Sequence, residues 1–350
     1  VKAVVCMASN ATPSKVAATR GYGAEVVQHG QIWDEANEKA KQLVAEKGTG
    51  AILGCQIVGP HAVEIIQEVA EELADLHPQA PLPPKIAGRA PAFAALPVET
   101  LREVTRGARK GASPGPTGWT EELLFYCLED AAFAREFAQM TRDILNDAAP
   151  CQISEFLRGS VLVPIPKEPP KAEQAPAQNA GAATQKRDNL TRPIAIGEVF
   201  CRIAGLIALR GALPGASAEF RGTQFAMERG GAEHVIHSVR SHAFGGSGVV
   251  TIDFRNAFNT ISRRHVAECL RKRLWAAPLA HIFGMLYCFP SSLLWWGGRL
   301  SSTEGVRQGC VLGPLLFCVG VSDLIAETRR LFPDVRVYPY LDDITLCSQN

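Results

Sequence analysis

Tyr340-Leu341-Asp342-Asp343 sets two carboxylates side by side between alternating runs, Val335 to Leu341 before them and Ile344 to Cys347 after. The pattern predicts a hairpin with both acids at its tip. Acidic residues are ordinary turn formers, so this pair alone carries no chemistry. A third carboxylate, Asp253, ends the β-branched run Val249-Val250-Thr251-Ile252, which predicts a buried strand. A carboxylate there is costly to bury unless something cationic meets it; otherwise Asp253 merely ends the strand. Beyond it, Ser262 should cap a helix, with Ile261 and Val266 as the hydrophobic staple. Between the acidic elements lies a polar loop hinged at Gly305, Gly309 and Gly313. It should open a helix with Pro314 in its first turn and Phe317, Val321 and Leu324 on its buried face. Within that loop, Gly309 beside Gln308 would let the backbone approach a flat or charged ligand closely.

The elements that must position these groups occupy the second half of a 350-residue chain with 47% hydrophobic and 20% charged residues. That composition excludes a disordered polar tail and a collagen-like repeat, and the length suits two or three domains. No run approaches the roughly 18 uncharged apolar residues of a membrane span, so no membrane partner is expected. The net charge of +1 hides an asymmetry: residues 1–80 hold 6 basic and 10 acidic residues, leaving 30 and 25 for the rest. A mildly basic body is compatible with a polyanion partner. The ten cysteines form no CxxC pair, which excludes zinc-ribbon and thioredoxin readings. Those with apolar neighbours, such as Cys55 and Cys318, read as reduced thiols in an intracellular compartment. His234 and His237 lack metal-ligand companions. The chain begins at Val1 without a signal segment and stops soon after the acidic pair, so both ends read as cut.

Residues 1–76 predict a small separate α/β leader. Its strands are Val4–Met7, Ala24–Val27 and Ala51–Val58, and its helices Asn10–Arg20 and Asp34–Lys47. A last helix starts at Pro60, with Val63, Ile66, Val69, Leu73 and Leu76 on its stripe. Residues 77–97, rich in Pro and Ala, read as a linker or extended arm, and 164–190 as a mobile loop within an ordered body spanning 98–350. The run from Gly23 to Gly30, with Trp33 to Ala36, resembles a piece of the pyridoxal-phosphate serine/threonine dehydratases. Ile52 to His61, with Glu64 to Ile66, is similar to the dimerisation domain of lipoamide dehydrogenase-like flavoproteins. Neither piece carries the residues its chemistry requires, namely the Schiff-base lysine and phosphate loop, or the redox cysteine pair and dinucleotide fingerprint. The leader therefore has a chimaeric appearance, and a dehydratase-like enzyme is the third reading of the chain.

Asp253, Gln308-Gly309 and Tyr340-Leu341-Asp342-Asp343, in this order, resemble the reverse transcriptases of non-LTR retrotransposons over residues 95–350. Val161 to Lys167 and Arg192-Pro193-Ile194 look like that family's fingers segments. Gly111 to Trp119 looks like its entry segment, with Thr117 where many relatives carry Asp. The resemblance implies an α+β fold: a palm of antiparallel sheet with helices behind, plus fingers, the thumb missing. It implies RNA-directed DNA polymerase activity, in which two divalent ions about 3.5–4 Å apart assist transfer of deoxynucleotides to a primer 3′-hydroxyl. Mg²⁺ would be the cofactor, with Mn²⁺ a substitute. The partners would be an RNA template, a DNA primer and deoxynucleoside triphosphates, and the compartment the nucleus.

By the same resemblance Asp253, Asp342 and Asp343 are catalytic, and together with the Phe254 carbonyl they are the metal ligands. Lys167 and Arg192 would hold the triphosphate, and Gln308 and Gly309 would floor the base pair. Phe258 would bar a ribose 2′-hydroxyl, unless it simply packs under the sheet. Arg102, Arg106, Arg109 and Lys110 are candidates for template phosphates or form a solvated helix face. The same choice holds for Arg263, Arg264, Arg271, Lys272 and Arg273. The alternative to an active enzyme is a truncated remnant that binds RNA without synthesis.

Overall fold

The computed structural model describes residues 62–86, 93–108, 111–166 and 191–348, together with 4–7, 25–29 and the single positions 9, 13, 16, 17, 20 and 39. The chain divides into two compact units, Val1–Leu73 and Ala74–Asn350. In the first, strands β1 (Val4–Met7) and β2 (Glu25–Gln28) pair in parallel, Val4 opposite Glu25. Pro13, Val16, Ala17 and Arg20 are helical, as is Lys39 within the expected second helix. The expected strand at 51–58 lies outside the described residues. Helix α1 (Ala62–Asp75) forms where the apolar stripe predicts it; Leu73 and Leu76 are buried, while the side chains of Val63 and Ile66 lie outside the described residues.

The second unit mixes helices with two sheets. Its helices before the first strand are α2 (Val98–Gly107), α3 (Glu121–Cys127), α4 (Ala131–Leu145) and α5 (Cys151–Leu157). Thr120 and Asp130 cap α3 and α4 by accepting from Leu123 N and Phe133 N, each such cap contributing about 1 kcal/mol. Strands β3 (Ser160–Pro166) and β4 (Thr191–Gly197) pair antiparallel, and β6 (Ser291–Trp295) and β7 (Gly298–Ser302) extend them into a four-stranded sheet of order β4-β3-β6-β7. Residues 77–86, the first part of the segment expected as linker or arm, run over this unit. The Gln79 side chain donates to Ser301 O at 2.8 Å, Ala80 N to Thr303 Oγ1 at 3.1 Å, and Lys85 pairs with Asp147.

Helix α6 (Val199–Phe220) is long and apolar enough, by length and composition, to cross a membrane. Its burial gives another account. Ile203, Ala204, Ile207, Ala208 and Phe220 sit in the core with Phe137, Leu145, Phe283 and Leu316, and Arg202 pairs at 3.0 Å with the buried Glu121. A charge held by a buried carboxylate suits a core helix rather than a lipid-facing one. The segment before it is tied down at Thr117, whose amide and hydroxyl donate to the buried Glu198 at 2.8 and 2.6 Å. An aspartate at 117 would instead oppose that carboxylate.

After α7 (Gly231–Phe244), strand β5 (Val249–Asp253) joins the second sheet, whose order is β5-β9-β8 with β8 (Val335–Tyr340) and β9 (Asp343–Ser348), antiparallel throughout. One expectation fails here. The β5 run is exposed at all five residues, with Val250 58% accessible. β5 is the edge strand, so one side of it has no ladder partner among the described residues. β-branching reports strand propensity and not the depth at which the strand lies. The central strand β9 takes the burial instead, at Ile344, Thr345 and Cys347.

Behind this sheet stand α8 (Ala257–Thr260), α9 (Arg263–Arg271), α10 (Ala277–Tyr287) and α11 (Gly313–Leu331). Ser262 caps α9 by accepting from His265 N, and Pro314 lies in the first turn of α11. Ile261 and Val266 both close on Gly320 of α11, where a Cβ would meet Val266 Cγ2 at 2.9 Å. Phe317 and Val321 are buried as their spacing predicts, but Leu324 is 51% accessible and Ile325 is buried in its stead. The helix turns 100° per residue, so the stripe drifts one position after two turns.

Candidate active site

The β8–β9 hairpin fixes the acidic pair. Tyr340 faces Asp343 across the ladder, leaving Leu341 and Asp342 as a two-residue turn. Such turns need positive φ, normally from glycine or asparagine. Here Leu341 adopts it, at φ 54°, a conformation costing about 1–3 kcal/mol for such a side chain. The turn is held by Gln224, buried to 1% accessibility, whose Oε1 accepts from Leu341 N at 2.9 Å. Gln224 had no signal in the sequence beyond a polar residue beside Phe225.

Asp253 stands directly opposite Asp343 in the β5–β9 register. Directly opposed Cα atoms lie about 4.5–5.5 Å apart, and two like charges so placed destabilise the ladder. Asp342 is half-buried, while Asp253 and Asp343 are exposed. The Asp342 carboxyl is raised above its ordinary range, first by burial and then by the charges of Asp343 and Asp253, against the pull of its own backbone amide and of Arg192. The three carboxylates are therefore brought together, and a fourth expected residue, Arg192, is close enough for its charge to be felt. Arg192 is exposed on β4 opposite Ile165.

Loop 303–312 connects the acidic elements to β4. Val306 N donates to Phe258 O at 2.7 Å and Gly305 N to Ile261 O at 3.2 Å, while Ala195 N donates to Gln308 O at 2.7 Å. Gly309 has φ 102°, and a Cβ there would meet Ala195 O at 2.6 Å. The close approach expected of this glycine is thus made first to the protein's own β4 backbone. A Cβ at Gly305, φ 71°, would run into the Asn259 backbone. Asn256 takes φ 54° after Asp253, and its side chain donates to Leu76 O at 2.7 Å while accepting from Asn259. The half-buried Phe258 stacks on Phe317 at 4.7 Å between centroids, and Phe254 is half-buried at the end of β5.

Two arginines lie beneath this loop. Arg263 was expected among surface basic residues and is instead fully buried. Its guanidinium donates to Gly305 O at 2.7 Å, to Ser302 O and Oγ at 3.1 and 2.7 Å, and lies 5.2 Å from the Tyr287 ring. Arg307 is buried too, donating to Arg158 O at 2.6 Å and Ser160 Oγ at 3.0 Å, and its guanidinium lies 5.3 Å from the Tyr287 ring. Arg102 and Arg106 lie on α2. The first bonds Glu99 and Leu128 O and the second sits over the Phe125 ring, none of which belongs to the carboxylate cluster. Lys167, Arg109 and Lys110 lie outside the described residues.

An all-oxygen cluster of like charges, one carboxyl with a raised proton affinity and an arginine alongside, is suited to a hard divalent cation and a polyanion. Residues 184–350 match the reverse transcriptase (RNA-dependent DNA polymerase) family. Over 255 residues the chain is 30% identical to the retrotransposable element SLACS 132 kDa protein of Trypanosoma brucei gambiense, covering 71% of this chain and 20% of that protein. Over 77 residues it is 39% identical to the biosynthetic L-threonine dehydratase IlvA of Haemophilus influenzae, covering 20% of this chain and 15% of the enzyme. The chain thus spans a fifth or less of each relative's length.

Proposed function

We propose that this chain, whose residues 184–350 match the reverse transcriptase family, is the nucleotide-adding part of a non-LTR retrotransposon protein. It acts as an RNA-directed DNA polymerase, transferring deoxynucleotides from their triphosphates to a primer 3′-hydroxyl on an RNA template, in the nucleus. The observation that carries this reading is Asp253 in register with Asp343, beside an Asp342 whose carboxyl is pushed up by burial and then by both neighbours.

Asp253, Asp342 and Asp343 offer carboxylate oxygens, which fits Mg²⁺, or Mn²⁺ in its stead. Asp253, Asp342 and the Phe254 carbonyl would hold the ions, with Asp343 as a further donor. Bound there, a pair of divalent ions makes the primer hydroxyl a better nucleophile and stabilises the departing pyrophosphate. The remaining tasks fall to the chain itself. Arg192 offers a planar donor fork to the triphosphate and Lys167 a point charge. Gln308 and Gly309, stitched to β4 through Ala195, floor the nascent base pair. Arg102, Arg106, Arg109 and Lys110 meet template phosphates.

Phe258, backed by Phe317, is the barrier to a ribose 2′-hydroxyl. Phe258→Val should lower the deoxynucleotide-to-ribonucleotide ratio of kcat/KM about tenfold or more, as expected when a steric wall is removed. An unchanged ratio would return Phe258 to a packing role. The primary test is extension of a DNA primer on an RNA template with deoxynucleotides and Mg²⁺. Product that disappears with a chelator supports the reading; retained RNA binding with no product in Mg²⁺ or Mn²⁺ leaves a binding remnant and overturns it.

A further inference from the structure

Helices α9 and α11 carry a second group of metal-binding side chains, away from the aspartates. His265 and Cys269 are one turn apart on α9, and Asp323 faces them from α11. Cys269 Sγ is 3.5 Å from His265 Nε2 and 3.6 Å from Asp323 Oδ2, and the last two atoms are 4.0 Å apart. A tetrahedral zinc ion with one sulfur ligand at about 2.3 Å and nitrogen or oxygen ligands at about 2.0–2.1 Å spaces its donors about 3.3–3.6 Å apart. The two edges that meet at Cys269 Sγ already have that spacing, and the His265–Asp323 edge would close by about 0.6 Å on binding. The packing explains why. Gly320 lets α11 close on Ile261 and Val266, and one turn further along each helix the same faces present Asp323 and Cys269.

We propose that His265, Cys269 and Asp323 form a zinc site clamping α9 to α11, with water as the fourth ligand. A soft thiolate with imidazole and one carboxylate selects Zn²⁺ over Mg²⁺, so the site does not compete for the polymerase ion. On binding, the Cys269 thiol releases its proton to solvent and its sulfur bonds the ion. Lys272, whose Nζ lies 3.7 Å from Asp323 Oδ2 and whose side chain is 67% accessible, swings out. Arg273, which donates to Ser322 Oγ and Cys269 O, stays in place. The clamp joins α9, the second helix after Asp253, to the helix that leads into the Asp342 hairpin, so it fixes the spacing of the two acidic elements.

The test uses the whole chain, stripped with a chelator and titrated with Co²⁺ as a spectroscopic stand-in for zinc. One ion per chain should bind with a sulfur-to-cobalt charge-transfer band, be displaced by Zn²⁺, and raise the melting temperature. Cys269→Ser should lose the band. His265→Gln and Asp323→Asn, which alter half-exposed side chains and leave the fold intact, should each weaken binding at least tenfold. A band that survives Cys269→Ser, or affinities unmoved in the other two variants, assigns the ion to other thiols such as the exposed Cys151 and overturns the site. No readout involves polymerisation, so the outcome is independent of the proposed activity.

Discussion

Replacing Asp342 by asparagine should abolish primer extension while making the metal-free chain more heat-stable. On the proposed function Asp342 holds the catalytic ions, and losing it would remove several kcal/mol of charge stabilisation; at 1.36 kcal/mol per factor of ten that is about 10³-fold or more in rate. The stability effect has the opposite sign and follows from linkage. Asp342 binds its proton more tightly in the fold than in the open chain, because burial and the charges of Asp343 and Asp253 disfavour its anion. The folded state therefore holds more protons than the unfolded state between the ordinary carboxylate value and the raised one. Stability contributed by this group is greatest below the unfolded value, falls as pH rises through the folded value, and stays lost at neutrality. Asparagine has the same shape and no charge to lose. In a chelator, Asp342→Asn should melt about 1–3 °C above the parent at pH 7, and the gap should close towards pH 4. Added Mg²⁺ should narrow the gap from the other side, because only the parent binds it well. A variant that still extends primers would remove Asp342 from the catalytic centre, and one that melts lower at pH 7 would show that its carboxylate is well compensated.

The parts of this site legible in sequence are those written locally. The hairpin around Asp342 and Asp343, the Ser262 cap and the Pro314 helix start each depend on residues within a few positions of one another, so pattern alone specifies them. Depth and long-range partnership are not written that way. Val249 to Ile252 reads as a buried strand by composition, yet its place at a sheet edge follows from which strands happen to pair with β9. Gln224 acts on Leu341 from across the chain, and nothing in its neighbourhood announces a buried amide. His265, Cys269 and Asp323 escape the usual zinc spacings because two come from one helix turn and the third from another helix. Arg263 is the clearest failure. It precedes Arg264 in a run that looks like a solvated basic face, but one side of α9 points into the core, and adjacent residues on a helix face about 100° apart.

Arg263→Ala should consequently be among the most destabilising single changes in the chain, and Arg264→Ala nearly silent. Arg263 has no carboxylate directly against its guanidinium among its described contacts. It is satisfied by the carbonyls of Gly305 and Ser302, the Ser302 hydroxyl and the Tyr287 ring, while its backbone amide donates to Glu304 Oε1 at 3.1 Å. Burial lowers its pKa to about 10, so it remains charged at neutrality. Truncation leaves these buried acceptors unpaired and opens a void the size of the side chain, together costing about 3–5 kcal/mol. For a domain of this size that is a fall of roughly 10 °C in melting temperature. Arg264 is exposed, and its loss should stay within about 0.5 kcal/mol. Lysine at 263 keeps the charge but cannot span Gly305 O and both Ser302 oxygens from one planar group, so it should recover only part of the loss. The consequence for synthesis is indirect. The loop that Arg263 supports bonds Phe258 O through Val306 and Ala195 through Gln308, so loosening it should raise KM for deoxynucleotides before it lowers turnover. If Arg263→Ala and Arg264→Ala melt together, the buried network does not hold the loop, and the arrangement of Phe258 and Gln308 must be maintained from the β4 side alone.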